Sequence, residues 1–456
     1  MRRTFALTLA LLAVATPARA AGPQVGIADD RILLAGGPTA EKAVAEWRRL
    51  GVQQVRIYAL WRRIAPSWSP RGVYAWDALD QAVNRIVAAG MKPMLTITGP
   101  GPRWTSRRPK GRYDPDPELY ARFARMVAER YGERVDRYLL WNEPNLNGWL
   151  WPQASCRRGR CTATAPHRYR ALARGAYAAV HAADSRAQVL IGSLFSRGSD
   201  LRRANVNQRP LEFLRGLACV DASYRRIRSR RCKRFKPLKA DGFAFHPHGT
   251  LTPPWRPFQH RDEVGMGSLS RLTRALDRLQ RMHRLKPTTR RFSVYIDEFG
   301  YQTRPPDALA GVTLRQQDRW LQWGAYEAWR HPRVKLFSQY LWRDEPKHLN
   351  KRRDIASGGW QSGLRFAGGR AKPSLKHFAT PFVVDAARRR LWGQVRRRDA
   401  RTVEVQRRTR GSKRWRTIAR RRTDAEGYWS WRTRLAPGAS YRYHAAGATS
   451  ATVKRR

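Results

Sequence analysis

Two short strings hold the residues best suited to chemistry. The first, Tyr138-Leu139-Leu140-Trp141-Asn142-Glu143-Pro144-Asn145, runs an apolar stretch straight into a carboxylate. The second, Phe292-Ser293-Val294-Tyr295-Ile296-Asp297-Glu298-Phe299-Gly300, does the same, and Gly300 lets the chain turn away. A short apolar run that stops at an acid is the pattern of a buried strand delivering one polar group at its end. Pro144 biases the residue before it toward extended backbone, so Glu143 is expected to continue the line of its strand. Two carboxylates on one rim meet the requirement for hydrolysis of a glycosidic bond, one as acid and the other as nucleophile or base. A lone Glu at a strand end is usually solvated or caps a helix. Two that each end an apolar strand are the more specific signal.

For the two acids to meet, the fold must bring separate strands to one edge. Strand-like runs occur at 24–28, 53–58, 92–98, 136–141, 188–193, 241–246, 292–297 and 334–341. Amphipathic runs at 41–50, 76–89, 117–131, 166–183, 268–284 and 313–330 carry helix start and stop signals. Eight strands, each followed by a helix or a loop with room for one, predict an α/β fold, the (β/α)8 TIM barrel, over 21–380. A doubly wound open sheet is the alternative, but the Gly-rich phosphate turn expected after its early strand is missing. In a barrel, functional groups sit at the C-terminal ends of the strands. The fourth and seventh strands put Glu143 and Glu298 there. Beyond Pro381 the pattern changes to short alternating runs at 402–406, 415–419, 428–433 and 440–443, which predict a small C-terminal β-sandwich (Ig-like) domain over 381–456.

With WNEPN at 141–145 and DEFG at 297–300, the chain resembles the clan A glycoside hydrolases over roughly residues 25–380. These are retaining (β/α)8-barrel glycosidases that include cellulase-like and β-xylosidase-like families. The resemblance implies that Glu143 is the acid/base, Glu298 the nucleophile, and Asn142 the partner of the sugar 2-hydroxyl. It implies that Arg56, ending the second strand in QVRIY, sits beside the nucleophile, where a cation favours the ionised carboxylate. It implies that His246, ending the sixth strand in FAFHPHG, reaches substrate and nucleophile, and that Trp342, ending the eighth in SQYLW, is a sugar platform. The family often has His-x-Tyr where this chain has His246 and His248. Either His248 supplies the hydrogen bond of that Tyr, or another residue such as Tyr301 does. Without the glutamates, Arg56 would read as a surface ion-pair former and His246 as a satisfied core histidine. Trp61, Trp104, Trp149, Trp151 and Trp255 follow strand ends, where aromatic faces suit the apolar faces of pyranose rings. Packing within the loops is the other reading of these tryptophans.

The 456 residues carry 91 Lys+Arg against 34 Asp+Glu, a formal charge of +57. A hydrophobic content of 42% excludes a disordered polycation. No interior apolar run reaches the roughly 18 residues of a transmembrane segment. Arg2 and Arg3, an apolar stretch over 5–15, Pro17 and Ala18-Arg19-Ala20 read as a secretory signal peptide over 1–20, so the protein is expected to be secreted. Outside the cell, Cys156, Cys161, Cys219 and Cys232 favour disulfides over a metal site, because no His accompanies them at zinc spacing. Four cysteines allow three pairings, and nearest-neighbour pairing would close CRRGRC and the loop ending RSRRC. No metal and no cofactor is expected. From Asp385 onward there are 22 basic and 5 acidic residues, with Trp415, Trp429, Trp431 and Tyr441 interleaved among Arg. That surface suits an anionic cell-envelope polymer or acidic polysaccharide, with a solvated cap on the barrel as the alternative. Nucleic acid is not an expected partner of an exported chain. The residues together read as a secreted retaining glycosidase acting on β-linked polysaccharide or oligosaccharide. The alternative is a non-catalytic barrel that binds cell-surface saccharide or an anionic polymer.

Overall fold

In the computed structural model, residues 22–67, 74–106, 111–346, 359–396, 402–445 and 447–455 are described. The signal segment expected over 1–20 lies outside them. Eight parallel strands close into a barrel: β1 (Gln24–Ala28), β2 (Gln54–Leu60), β3 (Lys92–Thr98), β4 (Arg137–Leu140), β5 (Gln188–Phe195), β6 (Gly242–His246), β7 (Val294–Phe299) and β8 (Val334–Tyr340). Each pairs with its neighbours in sequence, and β8 closes the ring on β1 with Gln24 opposite Leu336. The strand interiors are buried on both faces, as parallel strands under a helical coat must be, which is why they read as continuous apolar runs. Inside the ring, Met94, Leu139, Leu190, Ala244, Tyr295 and Leu336 pack into one small cluster. It fills the barrel interior, so polar chemistry belongs at the mouth.

The outer helices are α1 (Gly37–Arg49), α2 (Asp77–Ala88), α3 (Pro117–Tyr131), α4 (Ala165–Ala183), α5 (Pro210–Leu217), α6 (Leu269–Arg281) and α7 (Leu314–Arg330). Their limits follow local chemistry. Asp116 accepts from the backbone N–H of Glu118 and Leu119, and Pro117 occupies the first turn of α3. Thr313 and Gln316 cap α7 reciprocally. On α6, Leu269, Leu272, Leu276 and Leu279 are buried, which is the stripe a 3.6-residue period predicts.

After the barrel, β9 (Phe382–Asp385) and β10 (Arg390–Gln394) pair antiparallel with β13 (Tyr428–Arg432). A second sheet holds β11 (Thr402–Arg408), β12 (Arg416–Arg422) and β14 (Ser440–Ala445). Between the sheets lie Val384, Leu391, Val403, Val405, Trp429, Tyr441 and Tyr443, the core of a β-sandwich. It is fastened to the barrel by Tyr326, which donates to Asp385 at 2.9 Å, and by Tyr428, which donates to the Pro23 carbonyl at 2.7 Å. Cys156 bonds to Cys161 across a hairpin, and Cys219 bonds to Cys232 in the loop after α5. No helix among the described residues is long and apolar enough to cross a membrane.

Candidate active site

Strand β4 stops at Leu140, and the chain then turns sharply. Trp141 has φ 69° and Glu143 φ 39°, so Glu143 is not extended as the following proline led us to expect. Tertiary hydrogen bonds override that bias. The N–H of Trp141 donates to the Ile97 carbonyl at 2.8 Å, and that of Glu143 donates to the Ser193 carbonyl at 3.0 Å. Asn145 then pins the loop, donating to the Phe195 and Gln208 carbonyls and accepting from the Phe195 N–H. A local conformation this unfavourable persists only where surrounding bonds over-determine it. The result is a Glu143 that is 7% exposed at the barrel mouth.

Glu298 comes from β7, where the pairing register with β8 shifts between Ile296 and Phe299. A regular strand would send Asp297 and Glu298 to opposite faces, but the irregularity lets both join one polar network. Arg56 lies at its centre. It sits in the middle of β2 rather than at its end, because the strand runs on to Leu60. Its Nη1 is 2.6 Å from Glu298 Oε1, its Nη2 2.6 Å from Asn142 Oδ1, and its Nε 3.0 Å from Asp297 Oδ2. His246 bridges the carboxylates, with Nδ1 2.9 Å from Glu143 Oε1 and 3.6 Å from Glu298 Oε2, and Nε2 2.9 Å from Asp297 Oδ2. Tyr58 donates to Glu298 Oε1 at 3.2 Å, and His248 Nε2 lies 3.4 Å from Glu298 Oε2.

The electrostatics follow from those distances. Burial alone would raise the Glu298 carboxyl, but the charges of His246 and Arg56 and the His248 contact hold it well below the ordinary carboxylate range. Burial alone would lower His246, yet Asp297 and Glu298, with the hydrogen bonds to Asp297 and Glu143, push it up to about 10. His246 is therefore an imidazolium that donates from both nitrogens. Ligand-type atoms of Glu143, His246, His248 and Glu298 all lie within 4.8 Å of one another.

Beside this network is a cleft of about 510 Å³ lined by Arg62, Pro100, Arg112, Gly148 and Trp149. The Trp149 ring stands 5.7 Å from that of Tyr58, so the cleft adjoins the carboxylate pair.

No protein-family model and no curated protein matches the chain. Solved structures do. A family 39 glycoside hydrolase from the gut symbiont Bacteroides cellulosilyticus WH2 superposes with a TM-score of 0.55 at 15% identity, covering 85% of this chain and 75% of that one. GH5_18 from Streptomyces cattleya, solved in complex with GlcNAc, gives a TM-score of 0.50 at 15% identity, covering 77% and 78%. At such identity the likeness speaks for the fold. The chain shares the closed (β/α)8 barrel fold of these two glycoside hydrolases.

Within that barrel the structure brings Arg56, Asn142, Glu143, His246, His248 and Glu298 together, and sends five other expected residues elsewhere. Trp342 is no platform. Strand β8 ends at Tyr340, and the loop turns Trp342 inward to 2% exposure, where it packs edge-on against Trp47 of α1 at 6.2 Å. Tyr301 does not reach Glu298. Its hydroxyl donates to the Thr252 carbonyl at 2.8 Å and its ring packs on Trp320 at 5.0 Å. Trp104 leans edge-on against the buried Trp61 at 6.4 Å. Trp151 packs on Tyr113 at 4.7 Å, and Trp255 on Trp323 at 5.1 Å, so these two serve the loops.

Other residues stand where those were expected. Tyr58 stands two places after Arg56 and so shares its face of β2, a signal the sequence did carry. Tyr340 at the end of β8 and the partly exposed Trp360 form the aromatic wall. Trp360 lies 5.2 Å from the His248 ring and 5.7 Å from that of Tyr340. Asp297 orients both Arg56 and His246. In the cluster of four ligand-type residues, His246 already bonds a carboxylate through each ring nitrogen, Glu143 at Nδ1 and Asp297 at Nε2. At the two other clusters, Cys219 and Cys232 are spent in a disulfide and Asp262 is gripped by both terminal nitrogens of Arg215.

Proposed function

We propose that the protein is a secreted retaining glycosidase that cleaves β-glycosidic bonds of a polysaccharide or oligosaccharide by double displacement. The approach of the two carboxylates carries this reading. Oxygens of Glu143 and Glu298 come within 4.8 Å. Retaining pairs stand about 5–5.5 Å apart, whereas inverting pairs leave about 6.5–9.5 Å for a water. Glu298, ionised between Arg56, Tyr58 and His248, attacks the anomeric carbon as the bond to the leaving oxygen breaks. Glu143 is held at Oε1 by His246, which leaves Oε2 to protonate that oxygen. It then takes a proton from water as the glycosyl-enzyme ester is hydrolysed. Asn142 accepts from Arg56 through its carbonyl oxygen, so its amide N–H groups remain for the sugar 2-hydroxyl. The leader-like segment over 1–20 and the two disulfides support export.

The test is Glu298→Gln on a panel of β-linked oligosaccharides, with product anomers followed by proton NMR. Activity should fall by on the order of 10⁴-fold, and the wild type should release the β anomer first. Undiminished activity or an initial α anomer overturns the assignment.

The C-terminal sandwich supports an accessory role within the same reading, an anchor on an anionic envelope polymer. Arg408 and Arg442 both lie over the Trp415 ring, at 4.9 and 4.2 Å, and no described carboxylate forms an ion pair with either.

A further inference from the structure

The cleft of about 510 Å³ beside the carboxylate pair is built on the C-terminal face of the barrel. Arg62 follows β2, Pro100 follows β3, Arg112 lies in the loop between β3 and α3, and Gly148 and Trp149 lie in the loop after β4. Loops after three adjacent strands therefore wall one depression, and Trp149 in its wall meets Tyr58, which donates to Glu298. A sugar reaching the carboxylates can extend its chain along this path.

The charge of the cleft differs from that of the network beside it. Arg56 is buried and ion-paired with Asp297 and Glu298. Arg62 is exposed and Arg112 half-buried, and neither has a carboxylate partner among the described residues. A desolvated or partly desolvated guanidinium gains most from a planar or tetrahedral oxyanion that can accept two N–H groups at once. Trp149 supplies what two arginines cannot, a flat apolar face for the ring of the same sugar.

Resting on the glycosidase reading, we propose that this cleft is a subsite for a sugar unit bearing an anionic substituent, a carboxylate or a sulfate, and that the substrate is an acidic glycan. Trp149 stacks on the pyranose, and Arg62 and Arg112 take the oxyanion. The positive charge of the chain then has a local use at the site and not only a diffuse one.

The experiment uses the full chain carrying Glu298→Gln, which binds glycan without turning it over. Calorimetry compares a cellotetraose ligand with the same tetrasaccharide oxidised to carboxylates at its primary alcohols, and with a third in which those alcohols are sulfated. At 50 mM salt at least one acidic ligand should bind about tenfold tighter or more than the neutral one, as one or two charge-assisted hydrogen bonds would give. Whichever binds tighter identifies the substituent. Added R62Q and R112Q should abolish the preference. R157Q with R160Q, which removes the same charge from the exposed disulfide hairpin, should leave it intact. Equal binding of neutral and acidic ligands, no binding of any, or a preference that survives R62Q/R112Q overturns the proposal. Circular dichroism checks that each variant is folded. The two readings fail separately. Acid-selective binding with no hydrolysis by the wild-type enzyme removes the glycosidase and keeps the subsite, whereas hydrolysis indifferent to charge does the reverse.

Discussion

Arg56 at the barrel mouth and Arg442 on the C-terminal sandwich are the same side chain in opposite surroundings. Arg56 is 2% exposed, and its guanidinium faces Asp297, Glu298 and Asn142. Arg442 is half-buried against Trp415, donates to Gln406 at 2.9 Å, and shares the indole with Arg408, whose charge adds to burial in lowering its pKa. At the mouth, a few acids of a strongly basic chain are gathered around one arginine, and each polar group restrains the next. On the sandwich, like charges are held close, and no described carboxylate forms an ion pair with either. A buried charge is tolerable only when paired, whereas an exposed one is screened and can wait for a partner from outside. Net charge therefore says little about either region until the burial of each arginine is known.

The comparison can be broken most sharply at Arg56. Arg56→Ala takes the guanidinium from buried Glu298 and Asp297 and leaves them to His246, and should cost about 3–5 kcal/mol of stability with near-complete loss of activity. Denaturant unfolding and turnover on the best substrate measure both, and a stable, active variant would refute the network. Tyr58→Phe removes only one hydrogen bond to the ionised Glu298. It should lower kcat/KM by about tenfold or more with the fold retained.

The pH dependence comes next. The Glu298 carboxyl is depressed in the folded state, so its contribution to stability is present above its ordinary value of 4.5 and is lost as pH falls toward the depressed one. His246 is raised to about 10, so its contribution is complete below 6.5 and is lost as pH rises from there to about 10. Thermal unfolding scanned over pH should show a decline on both sides, and His246→Gln should remove the alkaline decline. The smallest effect belongs to the sandwich. R408Q with R442Q should shift unfolding by no more than about 0.5 kcal/mol while lowering retention on an acidic polysaccharide matrix at low salt. Unchanged retention would make the cradle structural.

The barrel strands were legible because each is apolar through its length, and the helices because their apolar residues recur at one turn. The sandwich strands β9 and β10 were missed. They are short, and Arg388 and Arg389 between them, with Arg390 opening β10, hide the period. At the site, WNEPN and DEFG were enough to nominate both carboxylates, and QVRIY held Tyr58 in view. Trp342 misled because its position assumed that β8 ran two residues further than it does. Trp360 was out of reach because it arrives from a distant loop. That loop is held by Glu345, which accepts the Trp360 N–H, and by Lys372, which donates to the Gln361 carbonyl and to Asp344.

By itself, then, the sequence determined the alternation of strand and helix and the two acids at strand ends. Both are written in residue type and period, which are local. Only the tertiary structure decided the left-handed turn at Glu143, the bridging imidazolium of His246, the inward turn of Trp342 and the arginine-lined cleft. Each of these depends on hydrogen bonds, packing or charges contributed by segments far apart in the chain, and no local pattern records which of them will meet.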